Sequence, residues 1–388
     1  MNTYIPRIIE SRIKDSIDLV PVIAMTGPRQ SGKTTLAKHL FPDYLYANLE
    51  FPDVRLMAES DPRSFLSQSS HMIIDEIQRL PDLFSYIQGL VDEDDRRKYV
   101  LTGSNNFKLL QSISQSLAGR VSFFTILPFS IEEIRKAKIP HPDLYKNIFK
   151  GWYPRVIALH NNPVEWYQGY IQTYLEKDVR DTSSIYMIEQ FYTFLQVLAT
   201  HAGNALNYST LAKEVGVSPN TIRGWISILE TSYIVYRLPP YHSNIKKRLV
   251  KSSKIYFYDT GLLCSLLSIK DEEHLRAHPF VGALFENFIV SEYIKKQSLD
   301  GTINNLFYYR DVNGNEVDLV LNTGSGWSLF EIKLNKIFKT EFLRGINFFN
   351  KEVKPSESAS VIYGGEVSHK IGEMNLISWK DIIGTIER

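Results

Sequence analysis

Apolar residues gather in short runs along the first third of the chain, each giving way to glycine or to acidic and hydroxyl residues. Val20 to Met25 leads into a glycine-containing turn and then into Lys33 to Leu40, whose composition suits a helix, giving strand, loop, helix. Similar runs return at Met72 to Ile74 and at Tyr99 to Leu101. The intervals between them are long enough for helical crossovers, which predicts a parallel sheet covered by helices. This α/β unit, residues 1–135, closes near Leu127-Pro128-Phe129-Ser130, where Ile131 to Lys138 reads as a helix.

The pattern then turns aromatic and helical. Trp152 to Arg180 reads as a helical connector within residues 136–200. Phe191 to His201, Tyr208 to Val215 and Pro219 to Leu229 follow as three helices, with a strand-like Ser232 to Leu238 and the basic run Lys246-Lys247-Arg248 behind them. A helical triplet followed by a β-ribbon predicts a winged helix-turn-helix, assigned to residues 201–255. The remainder, 256–388, alternates again: Tyr256 to Asp259, a helical stretch at Leu262 to Leu267, a long helix at Gly282 to Lys296, then strands at Leu306 to Arg310, Glu316 to Leu321 and Trp327 to Leu334. Asn313-Gly314-Asn315 supplies the turn between the first two strands. The last unit is therefore mixed α/β.

Composition adds bounds. At 388 residues, 44% hydrophobic and 22% charged, the chain is long enough for two to four units, each with its own core. A net charge of +1 excludes nothing, because the local cluster Lys246 to Arg248, with Lys251 and Lys254 nearby, carries more information than the total. The single cysteine, Cys264, excludes an internal disulfide and suits a reducing compartment. Met1 to Arg12 has no apolar stretch of signal-peptide length, and no run reaches membrane-spanning length, so a cytoplasmic protein without membrane contact is expected.

Gly27-Pro28-Arg29-Gln30-Ser31-Gly32-Lys33-Thr34 fits the phosphate-loop pattern at all its fixed positions, and Thr35 follows it. Glycines let backbone N–H groups converge on phosphates at a helix N-terminus, Lys33 reaches the β and γ phosphates, and Thr34 ligates Mg²⁺. ATP and Mg²⁺ are the expected cofactors. His71-Met72-Ile73-Ile74-Asp75-Glu76 ends an apolar strand in two acids, of which Asp75 would hold the metal and Glu76 would orient or deprotonate water. Thr102-Gly103-Ser104-Asn105 ends the third strand, so Ser104 or Asn105 is placed to sense the γ-phosphate, with a plain strand-ending turn as the alternative. Arg120 is a candidate donor to transition-state charge, in its own subunit or a neighbour's, against a surface ion pair.

Two further constellations carry chemistry. In Leu211 to Thr221 the glycine at 216 falls between two helices and Ser218 can cap the second, leaving Asn220, Thr221 and Arg223 to face bases or phosphates. The competing reading is a module for protein contacts. In the C-terminal unit Asp318, Glu331 and Lys333 lie on two strands where alternate side chains share a face. Carboxylates converging with a lysine suit a hard divalent cation and an activated water, Glu286 on the preceding helix offering a third carboxylate. The competing reading is a solvated, charged strand face.

Taken together, these residues resemble a prokaryotic family, AAA+-type ATPases with an N-terminal P-loop domain and a C-terminal DUF4143 domain. The resemblance rests on Gly27 to Thr35, Ile73 to Gln78, Leu101 to Ser104, Leu117 to Arg120 with Leu127 to Ser130 after it, Tyr256 to Leu262, Gly282 to Asn287, and Glu316-Val317-Asp318 followed by Glu331-Ile332-Lys333. The last three resemble the PD-(D/E)XK nuclease core, with Val317 where a proline is usual. The resemblance implies a homo-oligomer. The residues as a whole leave two readings, an ATP-driven DNA-processing enzyme and an ATP-dependent regulatory switch or scaffold with an inactive nuclease-like unit.

Overall fold

The computed structural model describes residues 4–104, 117–141, 143–158, 162–175, 188–242, 252–302, 305–372 and 374–382. Asn105, the basic run Lys246 to Arg248, Lys251 and the connector beyond residue 175 as far as Met187 lie outside them.

The N-terminal unit begins with α1 (Glu10–Leu19), β1 (Val22–Thr26), α2 (Lys33–Leu40), β2 (Leu45–Asn48), α3 (Pro52–Ser60) and α4 (Pro62–Ser67). It continues with β3 (His71–Asp75), α5 (Leu83–Glu93), β4 (Lys98–Thr102) and β5 (Val121–Thr125). The five strands are all parallel, in the order β2-β3-β4-β1-β5. Alternation along each strand divides the core. Val22, Ala24, Met72, Ile74, Tyr99 and Leu101 face α3, α4 and α5, whereas Ile23, Met25, Ile73 and Val100 face α1 and α2. With both faces covered, β1, β3 and β4 read as continuous apolar runs, as a parallel sheet requires.

The chain then forms α6 (Ile131–Lys136), α7 (Leu144–Lys150), α8 (Pro154–Ala158), α9 (Pro163–Tyr170), α10 (Ile188–Thr200), α11 (Tyr208–Val215) and α12 (Pro219–Thr231), followed by the antiparallel ribbon β6 (Val235–Leu238) and β7 (Lys254–Phe257). A reciprocal cap between Ser130 and Glu133 starts α6. Gly216, at φ 78°, ends α11, and Ser218 accepts from Thr221 N to start α12. Phe191 and Phe194 of α10 pack on Trp225 of α12 at 5.4 and 5.2 Å, which holds the helical triplet together across residue 200. β7 runs across residue 255.

Next come α13 (Thr260–Leu266), α14 (Glu272–Ala277) and α15 (Val281–Asp300), then β8 (Leu306–Arg310), β9 (Glu316–Asn322), β10 (Trp327–Lys333), α16 (Arg344–Phe348), β11 (Ser358–Tyr363), β12 (His369–Ile371) and β13 (Met374–Ser378). These strands form one mixed sheet, β12-β13-β11-β10-β9-β8. One apolar core runs from Phe129 to Ile382 and takes in α6 to α15 with β6 to β11, so the expected connector, helical and C-terminal units share an interior. Helix α15 reaches from one sheet to the other. Tyr293 meets Phe330 of β10 at 5.2 Å, while Ser298 Oγ donates to Thr125 O of β5 at 2.9 Å. Among the described residues no helix is long and apolar enough to cross a membrane.

Candidate functional site

The loop between β1 and α2 is shaped by three left-handed or unusual backbone positions, Gly27 at φ 141°, Gln30 at 61° and Gly32 at 95°. A Cβ on Gly27 would lie 2.2 Å from Ile126 O, so only glycine fits. Gly32 caps α2 without a side-chain hydrogen bond, which leaves the first amides of that helix to an incoming anion. Lys33 is buried and donates to Gly27 O and Pro28 O, both at 2.9 Å, curling over its own loop. Ser31 Oγ is buried with no hydrogen-bond partner. Thr35 stands exposed on the outer side of α2.

Across the sheet, Asp75 at the end of β3 accepts three hydroxyls: Thr34 Oγ1 at 2.8 Å, Tyr46 OH at 2.9 Å and Thr102 Oγ1. Burial first, then the charge of Asp75, pushes the Tyr46 hydroxyl well above its usual range, keeping it a donor. Glu76 follows in the left-handed region, φ 56°, where a non-glycine residue is strained. Its carboxylate accepts from Gln78 Nε2 and lies 3.5 Å from Ser104 Oγ. The start of α2 and the adjacent ends of β3 and β4 thus bring Thr34, Asp75, Glu76 and Ser104 together. The glycine cradle, the orphaned Ser31 hydroxyl and the Thr34 and Asp75 oxygens in mutual contact fit a magnesium nucleotide.

Beside the loop lies a pocket of about 290 Å³, walled by Tyr4, Ile5, Leu36, Phe129 and Pro154 with Arg155 at its side. Sequence reasoning missed Arg7, which underlies the pocket and the loop alike. Its guanidinium donates to Ser31 O at 3.1 Å and Leu127 O at 2.7 Å, pairs with Glu133 at 2.8 Å and lies 4.6 Å from the Phe129 ring centre. Tyr46 was missed as well. Neither residue belongs to a motif, and only the tertiary fold brings them to the loop.

Arg120 lies apart from the loop. Val22 N donates to its carbonyl at 3.1 Å, so it sits where β1 and β5 start, about 15 Å along the strands from the loop at their other end. Its guanidinium forms a fork with Asp92 at 2.6 and 2.9 Å. It cannot serve its own subunit's phosphate site.

In the C-terminal unit, β9 and β10 pair as an antiparallel hairpin with Leu319 opposite Phe330. Lys333 Nζ lies 3.1 Å from Asp318 and 2.6 Å from Glu331, so the expected trio does meet. Glu286 approaches through Lys254. That lysine, grouped by sequence with the exposed basic cluster, is 3% exposed, because β7 turns it inward against β9 and α15. Its ammonium lies 3.0 Å from Glu286, 2.5 Å from Glu316 and 3.9 Å from Asp318. Burial pushes Glu331 up to about 8, helped by the neighbouring charge of Asp318, and burial likewise raises Glu286. Glu331 Oε2 is buried and unpartnered. Among the described residues no group of three such ligands is disposed to hold a metal ion, and two ammonium groups stand between the carboxylates of Glu286, Asp318 and Glu331.

The exposed start of α12 carries Asn220 and Arg223, the latter 4.9 Å from the Tyr208 ring centre. Thr26 Oγ1 and Tyr233 OH, 2.7 Å apart, tie the end of β1 to the segment entering β6.

Three family models match the chain: an AAA domain over residues 20–135, a domain of unknown function (DUF8612) over 141–273 and a domain of unknown function (DUF4143) over 281–382. An uncharacterised protein of Mycobacterium tuberculosis is 31% identical over 330 residues, spanning 83% of this chain and 72% of that protein. An uncharacterised protein of Haemophilus influenzae is 24% identical over 291 residues, spanning 67% of this chain and 71% of that one. Among solved structures, the Walker-type ATPase PABY2304 of Pyrococcus abyssi is similar at 14% identity and a TM-score of 0.49, over 68% of this chain and 96% of that one.

Proposed function

The chain is an AAA-type P-loop ATPase with a C-terminal DUF4143 domain, belonging to one family with its mycobacterial relative, and from that premise we propose that it hydrolyses ATP and transmits the turnover to its helical and C-terminal units. The observation that carries the reading is the 2.8 Å contact between Thr34 Oγ1 and Asp75 Oδ2, which joins the phosphate loop to the acidic strand end. Amides from Gly32 to Thr35 and the Lys33 ammonium bind the phosphates, with the Pro28 to Ser31 backbone forming the turn. Thr34 and Asp75 hold Mg²⁺, which when bound neutralises charge on the phosphate oxygens. Glu76 orients the attacking water, and Ser104 beside it senses the γ-phosphate. The pocket walled by Tyr4, Phe129 and Pro154 takes the nucleoside, since Thr35 and Leu36 lead from the loop into it. Glu76→Gln keeps the phosphate cradle and removes the water-orienting carboxylate, so ATP binding is retained and steady-state phosphate release is lost. Unchanged release would refute the role.

Two partners complete the proposal. Nucleic acid suits the polar start of α12, where Asn220 and Arg223 are exposed with Thr221 half-buried beside them. A homo-oligomer is supported by Phe51, Leu56 and Met57, exposed large apolar side chains beside the edge strand β2. For the C-terminal unit the two lysines among the carboxylates favour a switch that engages a partner without cutting it over metal-dependent cleavage.

A further inference from the structure

A nuclease-like centre built on Glu286, Asp318 and Glu331 would need a divalent cation among its carboxylates. The place such an ion would take is filled from within the chain. Lys254 Nζ has Glu286 and Glu316 oxygens at 3.0 and 2.5 Å and an Asp318 oxygen at 3.9 Å, and the Tyr308 ring centre lies 5.5 Å away. Lys333 Nζ closes the other side between Asp318 and Glu331. Asp318 also spends an oxygen on Ile332 N at 2.8 Å, and Glu286 accepts the Tyr256 hydroxyl at 2.6 Å. Arg310, at 3.5 Å from Glu316, adds a third positive group at the rim.

Lys254 is held there by its backbone. It pairs with Leu238 across the ribbon and bridges to Ala205, while Leu206 N donates to Ser253 O at 2.8 Å and Ile255 N to Asn204 O at 3.1 Å. With both neighbours hydrogen-bonded and the side chain 4% exposed, the ammonium is buried among these oxygens. A divalent ion and an ammonium cannot share these oxygens: the ion needs them at about 2.0–2.6 Å, and like charge repels. We propose that Lys254 is the built-in counter-cation of the C-terminal carboxylate cluster and excludes divalent metal from it, making this cluster a structural ion network that joins β7, α15, β9 and β10. The inference is independent of nucleotide turnover at the N-terminal loop.

The test is Mn²⁺ binding to the nucleotide-free full chain, followed by electron paramagnetic resonance of the free ion. Wild type is expected to show no Mn²⁺ site that Asp318→Asn removes. Lys254→Met is expected to gain one equivalent of bound Mn²⁺, lost again on adding Asp318→Asn. If Lys254→Met does not fold, Lys254→Met/Glu316→Gln removes one charge of each sign, leaves Glu286, Asp318 and Glu331 in place, and carries the same expectation. An Asp318-dependent Mn²⁺ site in wild type overturns the proposal, and so does a folded Lys254 variant that gains none.

Discussion

Arg7→Ala tests whether the phosphate loop is held from beneath. The Arg7–Glu133 pair is 5% and 1% exposed, so neither charge is screened by solvent. Removing one partner of such a pair costs about 3–5 kcal/mol, because the other charge is left buried and uncompensated. Glu133 retains hydrogen bonds from Ile8 N at 3.1 Å and Ser130 N at 2.9 Å, which places the loss near the lower end, about 3 kcal/mol. Ser31 O and Leu127 O also lose their donor, and the turn that receives the phosphates loses its anchor. Urea unfolding followed by tryptophan fluorescence should therefore show a lower midpoint, and ATP affinity should fall with it. Arg7→Lys keeps a charge but cannot form the three-way fork, so an intermediate loss is expected. A loss below about 1 kcal/mol in Arg7→Ala, with ATP affinity unchanged, would refute the reasoning.

Gly27→Ala must place a Cβ 2.2 Å from Ile126 O at φ 141°, so the loop shifts at a cost of about 1–3 kcal/mol, read as a lower melting temperature together with weaker ATP binding; wild-type nucleotide affinity would contradict it. Glu331, with its folded pKa raised to about 8, binds a proton in the folded state that the unfolded chain has released above its ordinary carboxyl range. Stability therefore falls as pH rises from about 4.5 to about 8, and Glu331→Gln should flatten that slope in denaturation curves taken across the window. If α12 contacts nucleic acid, Arg223→Ala lowers affinity in a filter-binding assay and reduces the slope of log affinity against log salt by about one, whereas an unchanged slope removes Arg223 from the interface.

Where local pattern and tertiary demand agree, the sequence was sufficient. Lys33 to Leu40, Gly216 before Ser218 and the Asn313-Gly314-Asn315 turn all appear where their residues predict them, because helix caps and tight turns are local chemistry. β2 was missed because Leu45–Asn48 is an edge strand with only Ala47 buried, so it carries no apolar run. β11 and β13 were missed because each has small or polar residues near its start, Ser358 to Ser360 in one and Asn375 in the other, and leaves only a two- or three-residue apolar run before its end. The site divides in the same way. Thr34 starts the helix after β1, and Asp75 and Glu76 end β3, positions that a parallel sheet brings to one edge, whereas Arg7 and Lys254 act over long sequence separations. Lys254 was misleading because proximity to Lys246 to Arg248 in sequence says nothing of the strand that buries it.

The claim on which the remainder depends is that the turn from Gly27 to Thr35 wraps a triphosphate, and calorimetric titration of the intact chain with ATP and Mg²⁺ tests it most directly. One ATP bound per chain, abolished by Lys33→Ala, is the expected result. No uptake by the wild-type chain, or equal uptake by Lys33→Ala, would contradict it.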